Sequence, residues 1–183
     1  PKKIWTTSKA GLGYSGFSVS KGRLYTLGAF GKEEHLLAFD ANTGKKTWHI
    51  PIGDLLTNSW GDGPRMTPSV ADGKVYALGG KGNLVCVDAQ SGKKIWQVHL
   101  VRDLGGTVPN WGYTESVLVD QGRVICTPGG EKGTLAALDG KTGKVIWRSR
   151  EFTDGAQYSS PIAITQEGTR QYVQLVMKNL VGI

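Results

Sequence analysis

An all-β fold assembled from repeated four-stranded antiparallel sheets is what this 183-residue sequence predicts. Three observations carry the prediction. The stretch AFDANTGKKTW at Ala38–Trp48 returns as CVDAQSGKKIW at Cys86–Trp96 and as ALDGKTGKVIW at Ala137–Trp147. The copies recur roughly every fifty residues, a period typical of propeller blades and related arrays. The chain carries 27 glycines and no long helix-like pattern, so strands joined by tight turns are expected throughout.

Taken in order, PKKIW at Pro1–Trp5 matches GKKIW at Gly92–Trp96, so the chain opens on what reads as the outer strand of a unit, over about residues 2–6. The first full unit covers about 16–50, with strands at Phe17–Ser20, Arg23–Leu27, Leu36–Phe39 and Lys46–Ile50. Lys21-Gly22 turns between the first two, and Gly28–Gly31 reads as the next hairpin turn. The second unit covers about 67–100, with strands at Ser69–Ala71, Lys74–Leu78, Leu84–Val87 and Lys94–His99. The third covers about 116–150, with strands at Val117–Val119, Arg123–Thr127, Leu135–Leu138 and Val145–Ser149 and a turn at Gly129–Gly133. The fourth, about 160–183, has strands at Ile162–Thr165 and Gln171–Met177 and stops on NLVGI, which aligns with NLVCV at Asn83–Val87. It lacks the turn and final strand that the other units have.

The repeated stretch has a physical reading. An Asp opening the turn (Asp40, Asp88, Asp139) accepts hydrogen bonds from backbone amides two and three residues on. Gly44, Gly92 and Gly143 take positive φ without steric cost. The turn sets the register of the closing strand, so Trp48, Trp96 and Trp147 all land on one face and supply its largest packing surface.

Composition narrows the function classes. No apolar run approaches the roughly 18 residues of a membrane-spanning helix, so no membrane span is expected. The net charge of +7 invites a nucleic-acid reading, but Lys2, Lys3, Lys45, Lys46, Lys93, Lys94, Lys141 and Lys144 sit at equivalent hairpin positions. Solvated turn lysines account for them, and no nucleic-acid motif accompanies them. Cys86 and Cys126 have no partner at metal or disulfide spacing and align with small residues, so both read as buried packers. His35, His49 and His99 are scattered, and no metal site is expected. No Ser-His-Asp order or phosphate loop is present, because the glycine pairs lie between strands with no helix following.

The pattern A-x-D-x-x-T-G-x-x-x-W is complete in the first and third copies, while the second substitutes Cys and Ser. In this the chain resembles the PQQ-like, or quinoprotein-type, propeller repeat family with its tryptophan-docking motif, and is similar to BamB-like propellers within it. Kelch blades have a shorter Asp-to-Trp spacing, and no WD40 signature is present. The resemblance implies a β-propeller of four-stranded blades, about four present here, as a fragment of a larger seven- or eight-bladed ring. It implies a structural girdle of Trp48, Trp96 and Trp147 between blades, and a periplasmic or secreted location. Two functions follow from it. One is a cofactor-free scaffold for binding or assembly; the other is part of a dehydrogenase that holds pyrroloquinoline quinone with calcium. The adjacent cysteines and metal carboxylates of the dehydrogenases have no match here.

Function on a repeated scaffold sits in the variable connections. Pro51–Met66 contains Trp60, Asp62 and Arg65, and Val101–Glu115 contains Asn110, Trp111, Tyr113 and Glu115. Repeat symmetry puts both on one face near the central axis, where an aromatic platform suits a protein or carbohydrate ligand. The competing reading has Trp60 and Trp111 covering the tops of adjacent blades. The open fourth unit predicts an unpaired edge. Either the remainder of a parent chain fills it, or Lys2–Trp5 does, within one chain or in a homodimer that completes an eight-bladed ring.

Overall fold

The computed structural model describes all residues from Pro1 to Ile183 and contains strands and turns only. No helix is long and apolar enough to cross a membrane. Fifteen strands follow in order: β1 (Phe17–Ser20), β2 (Arg23–Phe30), β3 (Glu33–Asp40), β4 (Lys46–Asp54), β5 (Ser69–Ala71), β6 (Lys74–Leu78), β7 (Asn83–Asp88), β8 (Lys94–His99), β9 (Leu118–Asp120), β10 (Arg123–Cys126), β11 (Ala136–Asp139), β12 (Val145–Arg148), β13 (Ile162–Gln166), β14 (Thr169–Leu175) and β15 (Leu180–Gly182). They form four antiparallel sheets in chain order, β1-β2-β3-β4, β5-β6-β7-β8, β9-β10-β11-β12 and β13-β14-β15. These are four blades of a propeller, the last with three strands.

Each blade is a meander, and its first hairpin closes on the same two-residue turn. Lys21-Gly22, Asp72-Gly73, Gln121-Gly122 and Glu167-Gly168 all have positive φ at both positions. That is the primed turn whose twist matches the strands it joins. Each blade's inner strand lies beside its neighbour's: β1 next to β5, β5 next to β9, β9 next to β13. Ser18 Oγ donates to Pro68 O, the Thr67 amide to Ser116 Oγ (3.1 Å), and the Ser116 amide to Ser160 Oγ (2.8 Å). These links tie neighbouring blades together at their inner edges.

One continuous core, including Leu36, Tyr76, Leu84, Val87, Val124 and Leu138, runs through the first three blades. Ile125, Leu135, Ala137 and Tyr172 form a smaller one under the fourth. Cys86 and Cys126 are fully buried in different blades, and burial pushes both thiols up, Cys86 to about 11.

The repeated turns behave as the residue types require. Asp88 Oδ1 accepts from the amides of Gln90 (3.1 Å) and Ser91 (2.7 Å) and from Ser91 Oγ (2.6 Å), and Asp40 and Asp139 repeat the pattern. These bonds hold all three carboxyls below the usual range, led by the hydroxyl of Ser or Thr. The indole of one blade caps the turn of the next. Trp48 Nε1 donates to Ala89 O (3.3 Å) and Trp96 Nε1 to Gly140 O (3.1 Å), while Trp5 Nε1 donates in the same way to Ala41 O (2.9 Å). Gly92 has φ +73°, and a Cβ there would lie 2.8 Å from the Trp48 ring. Trp147 instead lies against Tyr172 of the fourth blade, with centroids 5.8 Å apart.

Two expectations need correction. Gly28 lies inside β2, which runs on to Phe30, and the turn is at Gly31-Lys32. The ladder with β3 continues through Gly28↔His35, Ala29↔Glu34 and Phe30↔Glu33, and on the other side of β2 the Ala29 amide donates to Leu12 O (2.6 Å) and the Leu12 amide to Ala29 O (3.0 Å). Pro1–Trp5, expected to be an outer strand, pairs with no strand in this chain, although its Trp5 is docked.

Candidate functional site

In a meander, successive turns alternate between the two ends of the sheet. The Asp turns and their lysines therefore lie at one end of the blades, and the long connections between blades at the other. At that second end, Tyr14, Trp60, Arg65, Trp111, Thr114 and Tyr158 line an open cleft of about 420 Å³.

The cleft has a repeat logic. Tyr14, Arg65, Thr114 and Tyr158 each stand two residues before Gly16, Thr67, Ser116 and Ser160, the positions that meet one another between blades. Four equivalent positions thus converge where the inner strands begin, and Trp60 and Trp111 are added by the two longer connections.

Ring geometry makes the cleft a shelf. Trp111 lies 5.0 Å from Tyr158 at 30°, and Trp60 meets Trp111 edge-on at 6.4 Å. Trp60 is 75% exposed, Tyr14 61% and Trp111 46%, so the rings are open rather than covered. The polar side chains around them are occupied by the protein itself. Arg65 lies over the Tyr14 ring at 5.3 Å and donates to Gly63 O (2.6 Å) and Gly61 O (2.7 Å). Tyr14 Oη donates to Trp60 O (3.2 Å), and Thr114 Oγ1 to Tyr158 O (3.0 Å).

The two connections are locked together beneath the shelf. Asn58 Nδ2 donates to Asn110 O (2.9 Å), Asn58 Oδ1 accepts from the Trp60 amide (3.0 Å), and Asp62 Oδ1 accepts from the Asn58 amide (3.0 Å). Glu34, fully buried, accepts from the Leu56 amide (3.1 Å) and the Gly80 amide (2.8 Å). It fastens the first connection to the second blade. Burial raises its carboxyl above the usual range, against the pull of those two amides.

Of the residues singled out from sequence, Trp60, Arg65 and Trp111 line the cleft, and Asp62 and Asn110 brace it. Tyr113 and Glu115 are buried elsewhere. Tyr113 Oη donates to Pro128 O (2.9 Å). Glu115 Oε1 accepts from the Thr127 amide (2.6 Å), and its Oε2 has no partner. Burial pushes the Glu115 carboxyl up to about 7. Thr114, between them in sequence, lines the cleft, while Tyr113 and Glu115 face the interior. Tyr14, Thr114, Tyr158 and Glu34 went unremarked, although the first three share the repeat position of Arg65.

The donor set also tests for a quinone. Pyrroloquinoline quinone is a tricarboxylate that needs several cations or a metal. Here the one cation lining the cleft is turned to its own backbone, and no cluster of three His, Cys, Asp or Glu side chains is present. These residues do not fit that group.

A family model described as outer membrane protein assembly factor BamB matches residues 32–183. No curated protein matches the sequence. Among solved structures, BamB from Moraxella catarrhalis is 23% identical with a TM-score of 0.54, over 79% of this chain and 38% of that one. The quinohemoprotein alcohol dehydrogenase ADHIIG from Pseudomonas putida HK5 is 25% identical with a TM-score of 0.54, over 73% of this chain and 20% of that one. The computationally designed protein Ika4 is 14% identical with a TM-score of 0.56, over 94% of this chain and 91% of its own. The chain therefore spans well under half the length of the two natural relatives.

Proposed function

The chain belongs to the family described as outer membrane protein assembly factor BamB, and on that premise we propose that it is a propeller scaffold that binds a partner polypeptide through the aromatic cleft. The observation that carries the reading is the chemistry of that cleft. Its rings are exposed, while Arg65, Tyr14 and Thr114 already bond to the protein's own carbonyls. A sugar is held by dense hydrogen bonding as well as by stacking, and few groups here are free to supply it. An aromatic or aliphatic side chain needs only apolar surface, and an extended peptide brings one with little else to satisfy. The family description also supports a periplasmic place of action.

The test is a titration followed by tryptophan fluorescence, using extended peptides of about eight residues with Phe, Leu or Lys at the centre. Peptides centred on Phe or Leu are expected to saturate the signal, and the Lys peptide, chitotriose and quinone with calcium are not. Trp60→Ala with Trp111→Ala, followed by calorimetry because the cleft rings that report binding are gone, is expected to weaken peptide binding at least tenfold and to leave the melting temperature within about 2 °C, because Trp60 is 75% and Trp111 46% exposed. Saturation by chitotriose or by quinone alone would sink the reading. An early melt of the double variant would mark the rings as blade covers.

A further inference from the structure

We infer that the polypeptide held at the cleft is a proline-rich segment in the polyproline II conformation, with two of its rings, three residues apart, lying on the shelf of Trp60, Trp111 and Tyr158. The inference rests on the reading of the cleft as a polypeptide site and names the class of segment that site takes. What decides the class is the balance of donors and acceptors left over around the rings. The carbonyls there are already occupied. Trp60 O accepts from Tyr14 Oη, Gly61 O and Gly63 O from Arg65, Asn110 O from Asn58 Nδ2, and Tyr158 O from Thr114 Oγ1. The donors are not. Trp5, Trp48 and Trp96 turn their indole N–H groups to carbonyls of the repeated Asp turns. The indole N–H groups of Trp60 and Trp111 and the hydroxyl of Tyr158 bond to nothing in the chain, and all three side chains line the cleft.

Such a surface sorts peptides by their backbone. An ordinary residue laid on it brings an amide N–H, and an amide shielded from water with no carbonyl to meet is penalised. A proline brings no N–H. It brings an apolar ring for the aromatic faces and a carbonyl that is free to accept from an indole or a phenol, because polyproline II has no internal hydrogen bonds. Grooves lined by aromatic rings use this complementarity to take proline-rich segments. The dimensions agree. Along the row Trp60, Trp111, Tyr158 the ring centroids are 6.4 and 5.0 Å apart, a shelf no longer than about 11 Å, and residues i and i+3 of polyproline II share a face at about 9 Å. Trp60 stands at 73° to Trp111, so the two rings form a corner for one proline, while Tyr158 offers a face for the other. The bond from Asn58 to Asn110 fixes this arrangement before anything binds, which suits a ligand that is itself stiff.

The test is a fluorescence titration with neutral peptides of about eight residues that share one sequence and differ only at two positions three apart, filled by proline, N-methylalanine or alanine. The proline peptide is expected to bind about tenfold or more tighter than the alanine peptide. N-methylalanine, which lacks the N–H and also the ring, is expected to fall between them. Moving the prolines to positions two apart is expected to lose about threefold or more, because the two rings then leave their common face. Tyr158→Phe removes a hydroxyl that bonds to nothing in the chain, so it is expected to weaken the proline peptide about threefold and to leave the melting temperature within about 2 °C. Equal affinity of the proline and alanine peptides, or an N-methylalanine peptide no tighter than the alanine one, would overturn the proline assignment and leave the cleft as a polypeptide site. Absence of saturation by every one of these peptides would overturn that reading as well.

Discussion

Glu115 stands at the repeat position that Met66 holds one blade earlier, and where the Met66 thioether accepts the Leu78 amide, the Glu115 carboxyl accepts that of Thr127. Buried to 1% exposure and with one amide as partner, its carboxyl is held up to about 7 by burial. A folded-state value above the unfolded one favours the protonated form. Its stabilising contribution is therefore complete below about 4.5, and it is lost as pH rises through about 7. That difference corresponds to roughly 3 kcal/mol. Glu115→Gln keeps the shape without the charge, so it is expected to melt later than the wild type at pH 8 and to match it near pH 4.5. Thermal unfolding across this range checks the sign, and a variant that melts earlier at pH 8 would show that the carboxylate is held by a partner.

At the scale of the element, the turn between the third and fourth strands of a blade does two jobs. It sets the strand register through Asp, and it receives the indole of the preceding blade over Gly. Two glycines with similar backbones separate these jobs. Gly73 has φ +71° and open space where a Cβ would be, whereas Gly92 has φ +73° and the Trp48 ring at 2.8 Å. Gly73→Ala is expected to cost about 1 kcal/mol from backbone strain alone. Gly92→Ala adds displacement of a packed ring and is expected to cost about 2 to 4 kcal/mol. Denaturant unfolding of the two variants measures the difference. Equal losses would mean that the indole contributes little to the seam between blades.

Across the whole molecule, basic side chains stand at both ends of the blades, with Lys32, Lys81 and Lys132 in the turns between second and third strands at the cleft end. Lys45, Lys93 and Lys144 belong to the turns that close on Asp40, Asp88 and Asp139, at the end of the blades opposite the cleft. Binding of an uncharged peptide at the cleft is expected to change less than about twofold between about 50 and about 500 mM salt, because the one cation lining the cleft, Arg65, is bonded to the carbonyls of Gly61 and Gly63. A steep salt dependence, measured by the same titration, would place the partner on basic side chains outside the cleft.

Strand order, hairpin turns and the period of the fold were legible in the residues themselves, because each depends on neighbours in sequence: Asp with the amides two and three ahead, Gly at positive φ, alternating apolar residues. The extension of β2 past Gly28 was not, since glycine reads locally as a turn, whereas here the ladder with β3 runs on to Phe30↔Glu33 and Leu12 bridges to Ala29 from the other side. The cleft divides along the same line. Trp60, Arg65 and Trp111 stood out as unusual residues in variable connections. That Tyr14, Thr114 and Tyr158 join them, and that Tyr113 and Glu115 turn inward, was decided by the packing of blade on blade, which brings positions some fifty residues apart to one axis and leaves no trace in local sequence.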